Sequence, residues 1–174
     1  MFRKTVLTLA ALLTATVVYA QKPVVTAISD IEDDPGNGLE MCRSLFNEYY
    51  LSELTTHAKV NTVDTASVQK AIAKLNIQRG LKLSAKQIDA LCKELKADAL
   101  CLVQMKRSAK GKIGVSVKMV SAEGNVLGES SADMEGIGDT DAASTHLALE
   151  SARVLRKLNG VDESKVVAPQ KQTK

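Results

Sequence analysis

The densest chemistry in the 174-residue chain is a run of acids, Asp30-Ile31-Glu32-Asp33-Asp34, followed by Pro35-Gly36-Asn37-Gly38. Oxygen donors at Asp30, Glu32 and Asp34 alternate as they do at the start of a calcium loop. Such a loop also needs Gly at its sixth position for the sharp turn and a bidentate Glu at its twelfth. Counted from Asp30, those positions hold Pro35 and Met41. That removes the helix-loop-helix calcium site and leaves a looser divalent-metal or small-ligand site on Asp30, Glu32 and Asp34 as an alternative reading. The plainer reading is a solvated loop ahead of a helix, where carboxylates sit well against the positive end of the helix dipole. On that reading Asp30, Glu32, Asp33, Asp34 and Asn37 are surface groups through which a partner is met.

Nothing else in the chain assembles a reactive group. The two histidines, His57 and His146, stand in no motif, and there is neither a glycine-flanked serine elbow nor a characteristic cysteine context. The glycine pairs at 36/38 and 136/138 lack the third Gly or the Lys of a phosphate loop. No catalytic residue and no cofactor are therefore assigned, and the chain is expected not to be an enzyme. Three cysteines, Cys42, Cys92 and Cys101, allow at most one internal bridge. Cys92, late in a helix, and Cys101, in the strand that follows, form the candidate pair, because the chain reverses between them. The alternative is three buried thiols acting as small hydrophobes.

The elements that position these groups follow from periodicity. Residues 22–31 form a β-branched strand, and the acidic Pro/Gly loop breaks it. Leu39, Cys42, Leu45, Phe46, Tyr49 and Leu54 recur at helical spacing, which predicts a long amphipathic helix with Tyr49 on its buried face. A short strand at 59–63 precedes a helix capped by Asp64 or Thr65, with Val68, Ala71, Ile72 and Leu75 inward. Ser84-Ala85-Lys86-Gln87 is a capping box for a helix carrying Ile88, Leu91, Cys92 and Leu95. Strands at 99–106, 113–120 and 126–134 make an antiparallel meander, the last pair joined by a turn at Ala122-Glu123-Gly124-Asn125. A helix from about Thr140 to Leu158 turns Ala143, Leu147, Val154 and Leu158 inward, and Asn159-Gly160 stops it. The order β-α-β-α-α-β-β-β-α specifies an α/β (α+β) domain with a single mixed sheet of about five strands flanked by about four helices.

The amino terminus sets the compartment. Arg3 and Lys4 precede an apolar run from Val6 to Val18 that ends in Val18-Tyr19-Ala20, the pattern of a secretion signal cleaved after Ala20. The run is shorter than the roughly 20 residues a bilayer span needs. The expectation is a signal peptide at 1–20, one domain at 21–160 and a disordered polar tail at 161–174, in the periplasm or secreted, with no stable membrane anchor. The first cysteine after the run is Cys42, so the chain is not expected to be a lipoprotein. Loss of Arg3 and Lys4 brings the formal charge of +3 toward neutrality, leaving no basic footprint for nucleic acid. With no Trp, two Phe and three Tyr, stacking on bases or sugars is disfavoured as well.

The chain resembles the periplasmic domain shared by three groups. They are the curli-secretion channel lipoprotein, the penicillin-binding-protein activator lipoproteins of the LpoB kind, and the amino-terminal domain of the Tol-system β-propeller protein. The matching segments are VVTAISDIEDD with its loop and long helix, KVNTVDTASVQKAIAKL, LCKELKADALCLVQM and VSVKMVSAEGNVLGES. Two positions depart from the pattern: Thr65 stands where the family has Arg after Val-Asp, and Lys96 replaces a Gly before Ala-Asp. The match runs over roughly residues 22–158. It implies a noncatalytic accessory protein of the cell envelope that docks on an envelope protein or associates with itself, through the 30–38 loop or an exposed strand edge.

Overall fold

A computed structural model describes residues 24–108 and 110–158. The expected signal segment and the tail lie outside the described residues. In chain order the elements are β1 (Val25–Ser29), α1 (Glu40–Ala58), β2 (Asn61–Thr62), α2 (Thr65–Lys74), α3 (Ala85–Leu95), β3 (Ala99–Arg107), β4 (Ile113–Ser121), β5 (Val126–Met134) and α4 (Thr140–Leu158). A single 3₁₀ turn, Ile137–Asp139, leads into α4. The strands form one mixed sheet in the order β2-β1-β3-β4-β5. β1 runs parallel to β2 and β3, and β3-β4-β5 is an antiparallel meander. This is the expected α+β architecture.

Local sequence explains each element. β3 is central and pairs on both sides, so its opening Ala99-Leu100-Cys101-Leu102-Val103 is apolar on both faces and wholly buried. β4 alternates, with Ile113, Val115, Val117 and Met119 buried and Gly114, Ser116 and Lys118 only partly so. Asp64 caps α2 by accepting from the Ser67 amide at 2.8 Å, and the same contact with the Ser67 hydroxyl holds its carboxyl below the ordinary value. The Ser84–Gln87 capping box opens α3. Gly124 (φ +84°) supplies the left-handed turn of the β4-β5 hairpin, and a Cβ there would lie 3.0 Å from that of Ala85.

Two cores result, one on each side of the sheet. On the first face α1 and α4 cover β1, β3, β4 and β5, with Phe46, Tyr50, Leu54, Leu147 and Leu155 fully buried against Cys101, Val103, Met105 and Val117. On the second face α2 and α3 bring Val68, Ile72, Ile88 and Leu91 onto Ala27, Leu100 and Leu102. Each fully buried Leu or Phe contributes on the order of 2 kcal/mol.

Three expectations are corrected by this packing. Leu158, expected inward on α4, is exposed, and Leu155 is buried instead. The buried stripe of α1 is Cys42, Phe46, Tyr50, Leu54 and Ala58, at a strict spacing of four, so Tyr50 rather than Tyr49 enters the core and stacks on Phe46 with ring centroids 5.5 Å apart. Its hydroxyl finds a partner there, donating to Ser151 Oγ at 2.7 Å, which is what a buried tyrosine requires. The Cys92–Cys101 bridge is not formed. All three cysteines are free and buried, with Cys92 in the α2/α3 core and Cys101 in the α1/α4 core. The sheet itself separates the two thiols.

Candidate functional site

The acidic loop joins the end of β1 to α1, and its carboxylates divide into two kinds. Glu32 and Asp33 are buried, whereas Asp34 is exposed and Asn37 half-buried. Asp33 faces Arg43 of α1, whose Nε donates to Asp33 Oδ2 at 2.5 Å. The other Asp33 oxygen accepts from the Asp34 amide at 3.0 Å, the Met105 amide at 3.2 Å and the Asn37 side-chain nitrogen at 3.4 Å. The Arg43 Nη2 then donates to Asn37 Oδ1 at 3.0 Å. Glu32 reaches the other way, accepting from the Leu83 amide and from Lys118 Nζ of β4, both at 2.8 Å. Buried charge is tolerated because each carboxylate is matched by a cation and by backbone donors. The pairs fasten the loop to α1, to the α2–α3 connection, and to β3 and β4.

Chemically, these carboxylates are tied inward rather than gathered around a common point. Asp34 Oδ1 accepts from the Gly36 amide at 2.9 Å within its own turn. Among the described residues no group of three or more His, Cys, Asp or Glu is placed to hold a metal ion. Asp30, Glu32 and Asp34 are not brought together. His57 pairs with Glu53 one turn earlier on α1, at 3.1 Å, and His146 is exposed on α4. Burial pushes the Cys92 thiol up to about 12, with nearby Asp89 adding to the effect, and burial raises the Cys101 thiol and the Tyr50 hydroxyl as well. Such thiols are inert rather than nucleophilic.

The sheet offers a second kind of surface. The α2/α3 layer packs on β1, β3 and the end of β4 at Val120, but not on the rest of β4 or on β5. There Gln104, Lys106, Gly114, Ser116, Ser131 and Asp133 line a shallow open cavity of about 210 Å³. β5 pairs only with β4 among the described strands, so its outer edge is unpaired over nine residues. Of those nine only Met134 is buried. Residue types gave this away in part: Glu129-Ser130-Ser131 and Asp133 are polar where β3 is apolar. What periodicity could not show is the partnership of Arg43 with Asp33 or of Lys118 with Glu32, the latter 86 residues apart.

The fold and this distribution of groups define a small mixed-sheet α+β domain with a braced loop and one open flank. No family model and no curated relative matches the chain. Solved structures do. The LpoB C-terminal domain from Escherichia coli is similar over 68% of this chain and 87% of its own, at 9% identity and a TM-score of 0.50. The same domain from Salmonella enterica covers the same shares at 10% identity and 0.47. A lipoprotein from Neisseria meningitidis matches 80% of this chain and all of its own length at 16% identity and 0.45. The likeness to the first establishes that this chain has an LpoB-like α/β fold. Of the three groups the sequence resembles, that is the one the structures bear on. No helix among the described residues is long and apolar enough to cross a membrane.

Proposed function

We propose that the chain is an exported, noncatalytic accessory protein of the cell envelope that acts through protein contacts. The observation that carries the reading is the β5 flank: among the described residues, an unpaired edge of nine residues beside a stretch of sheet face that no helix covers. An exposed edge presents backbone donors and acceptors to an incoming strand, and alternate side chains read its sequence. The leader-like amino terminus and the LpoB-like fold agree with an envelope location. In the loop, Glu32, Asp33 and Asn37 serve as braces, so the proposed contact lies on the β5 flank rather than on residues 30–38.

A photocrosslinking residue placed at Val126 or Ser131 in intact cells tests this. Discrete adducts from both positions, and none from the exposed Lys82 in the α2–α3 connection, are expected. Adducts from Lys82 alone would remove the edge from the proposal, and turnover of a substrate by the purified chain would remove the noncatalytic reading.

A further inference from the structure

We infer that β5 takes an incoming strand of alternating character, basic on one face and apolar on the other, supplied by another protein. This rests on β5 being the contact edge and names what fits it. Register assigns the two faces of β5. Glu129, Ser131 and Asp133 stand opposite Lys118, Ser116 and Gly114 on the open face. Ser130 and Ala132 stand opposite the core residues Val117 and Val115 on the α4 face. A strand added outside β5 continues both rows, because residues opposite one another share a face.

The two rows call for different side chains. Glu129 and Asp133 are exposed, four residues apart, and neither makes an ion pair among the described residues. Cations beside them are engaged elsewhere, Lys118 by Glu32 at 2.8 Å and Lys112 by Glu135. Basic residues four apart on the incoming strand meet both carboxylates. The other row is apolar and left unfinished. Leu127 and Ala132 of β5 and Val154 of α4 pack against the first core yet are only partly covered. Gly128 draws α4 in close at this border, since a Cβ there would lie 3.0 Å from Val154 Cγ2. Apolar side chains at alternate positions of the added strand extend the core over these residues. A second copy of β5 fits poorly. Two-fold antiparallel pairing sets Glu129 opposite Asp133 when it centres on Ser131, and diagonal to it when it centres on Ser130. A strand following α4 directly would join β5 through a crossover on the same face as β1-α1-β2 but stepping the other way across the sheet. The two crossovers would have opposite hands, whereas nearly all such connections share one.

Three labelled peptides of the length of β5, titrated with the purified chain and followed by fluorescence anisotropy, test the inference. One alternates Lys and Val, the second Glu and Val, the third Lys and Ser. The Lys/Val peptide is expected to bind roughly tenfold or more tighter than either of the others and to weaken as salt rises, with new amide protection at residues 126–134. The double variant Glu129→Gln/Asp133→Asn, on exposed positions, should weaken it roughly tenfold. Glu40→Gln, exposed on α1, should bind as the parent does. No binding of the Lys/Val peptide, equal binding of the Glu/Val or Lys/Ser peptide, protection elsewhere, or unchanged affinity in the double variant would overturn it. So would residues 126–134 already protected in the isolated chain, whether by a second copy, seen in light scattering, or by residues 161–174, seen on their removal. Crosslinking from Val126 and Ser131 in cells uses none of these peptides, so failure of the charge preference and failure of the edge itself are told apart.

Discussion

β3 and β5 are both nine residues long and lie two places apart in one sheet, yet they have opposite surroundings. β3 is paired with β4 along its whole length and with β1 over Ala99–Leu102, and its first five residues are buried on both faces. β5 is paired along one edge, covered by α4 on one face and open on the other. Their sequences follow their surroundings: ALCLVQMKR against VLGESSADM. A strand that a helix layer and two neighbours enclose contributes stability. A strand with a free edge adds little stability and leaves a surface for contact, kept from indiscriminate pairing by Glu129 and Asp133. The acidic loop belongs with the first kind, although its composition looks like the second.

The sharpest way to break that assignment is to unbrace the loop. Asp33→Ala leaves the buried Arg43 guanidinium with only Asp30, 3.9 Å away, as counter-charge, and should cost about 3 kcal/mol in urea unfolding. A cost near that of a surface change would return Asp33 to the contact surface. The same enclosed half predicts loss of stability in alkali. Cys92, Cys101 and Tyr50 are all raised in the folded state, so the native chain holds protons that the unfolded chain releases. Their contribution is complete below the ordinary thiol value near 9 and fades as pH climbs toward 12, the value for Cys92. Melting temperature followed from pH 8 upward should fall through that window, and the thiols should resist alkylation until the chain unfolds.

Smaller effects sharpen the contrast. Tyr50→Phe removes the hydroxyl that donates to Ser151 and should cost about 1–2 kcal/mol. Lys96 ends α3 in the left-handed region (φ +52°), where the related pattern has Gly, so Lys96→Gly should stabilise the chain by about 0.5–1 kcal/mol. Ser131→Ala on the open face should shift stability by no more than about 0.5 kcal/mol while reducing partner recovery.

Much of the fold was legible because its signals are local. The capping box at Ser84, the hairpin glycine at 124 and the alternation of β4 each report on neighbours within a few residues. On α1, Cys42, Phe46 and Leu54 are buried as their spacing predicts, whereas Tyr49 and Tyr50 are adjacent and alike, and only the α4 surface, with Ser151 awaiting a hydroxyl, chooses between them. The loop was misjudged for a related reason. Acids read as solvated unless their cations are known, and Arg43 and Lys118 reach them only once α1 and β4 are in place. Arg43 did leave one clue, since it lies beside Cys42 and one turn before Phe46 on the buried side of the helix.

Amide hydrogen exchange of the purified chain, alone and in complex with a partner recovered by crosslinking, is the most direct measurement of how the molecule divides. New protection along residues 126–134, with β1, β3 and the buried carboxylate loop unchanged, is the expected result. Protection gained at residues 30–38 while β5 exchanges as before would contradict it.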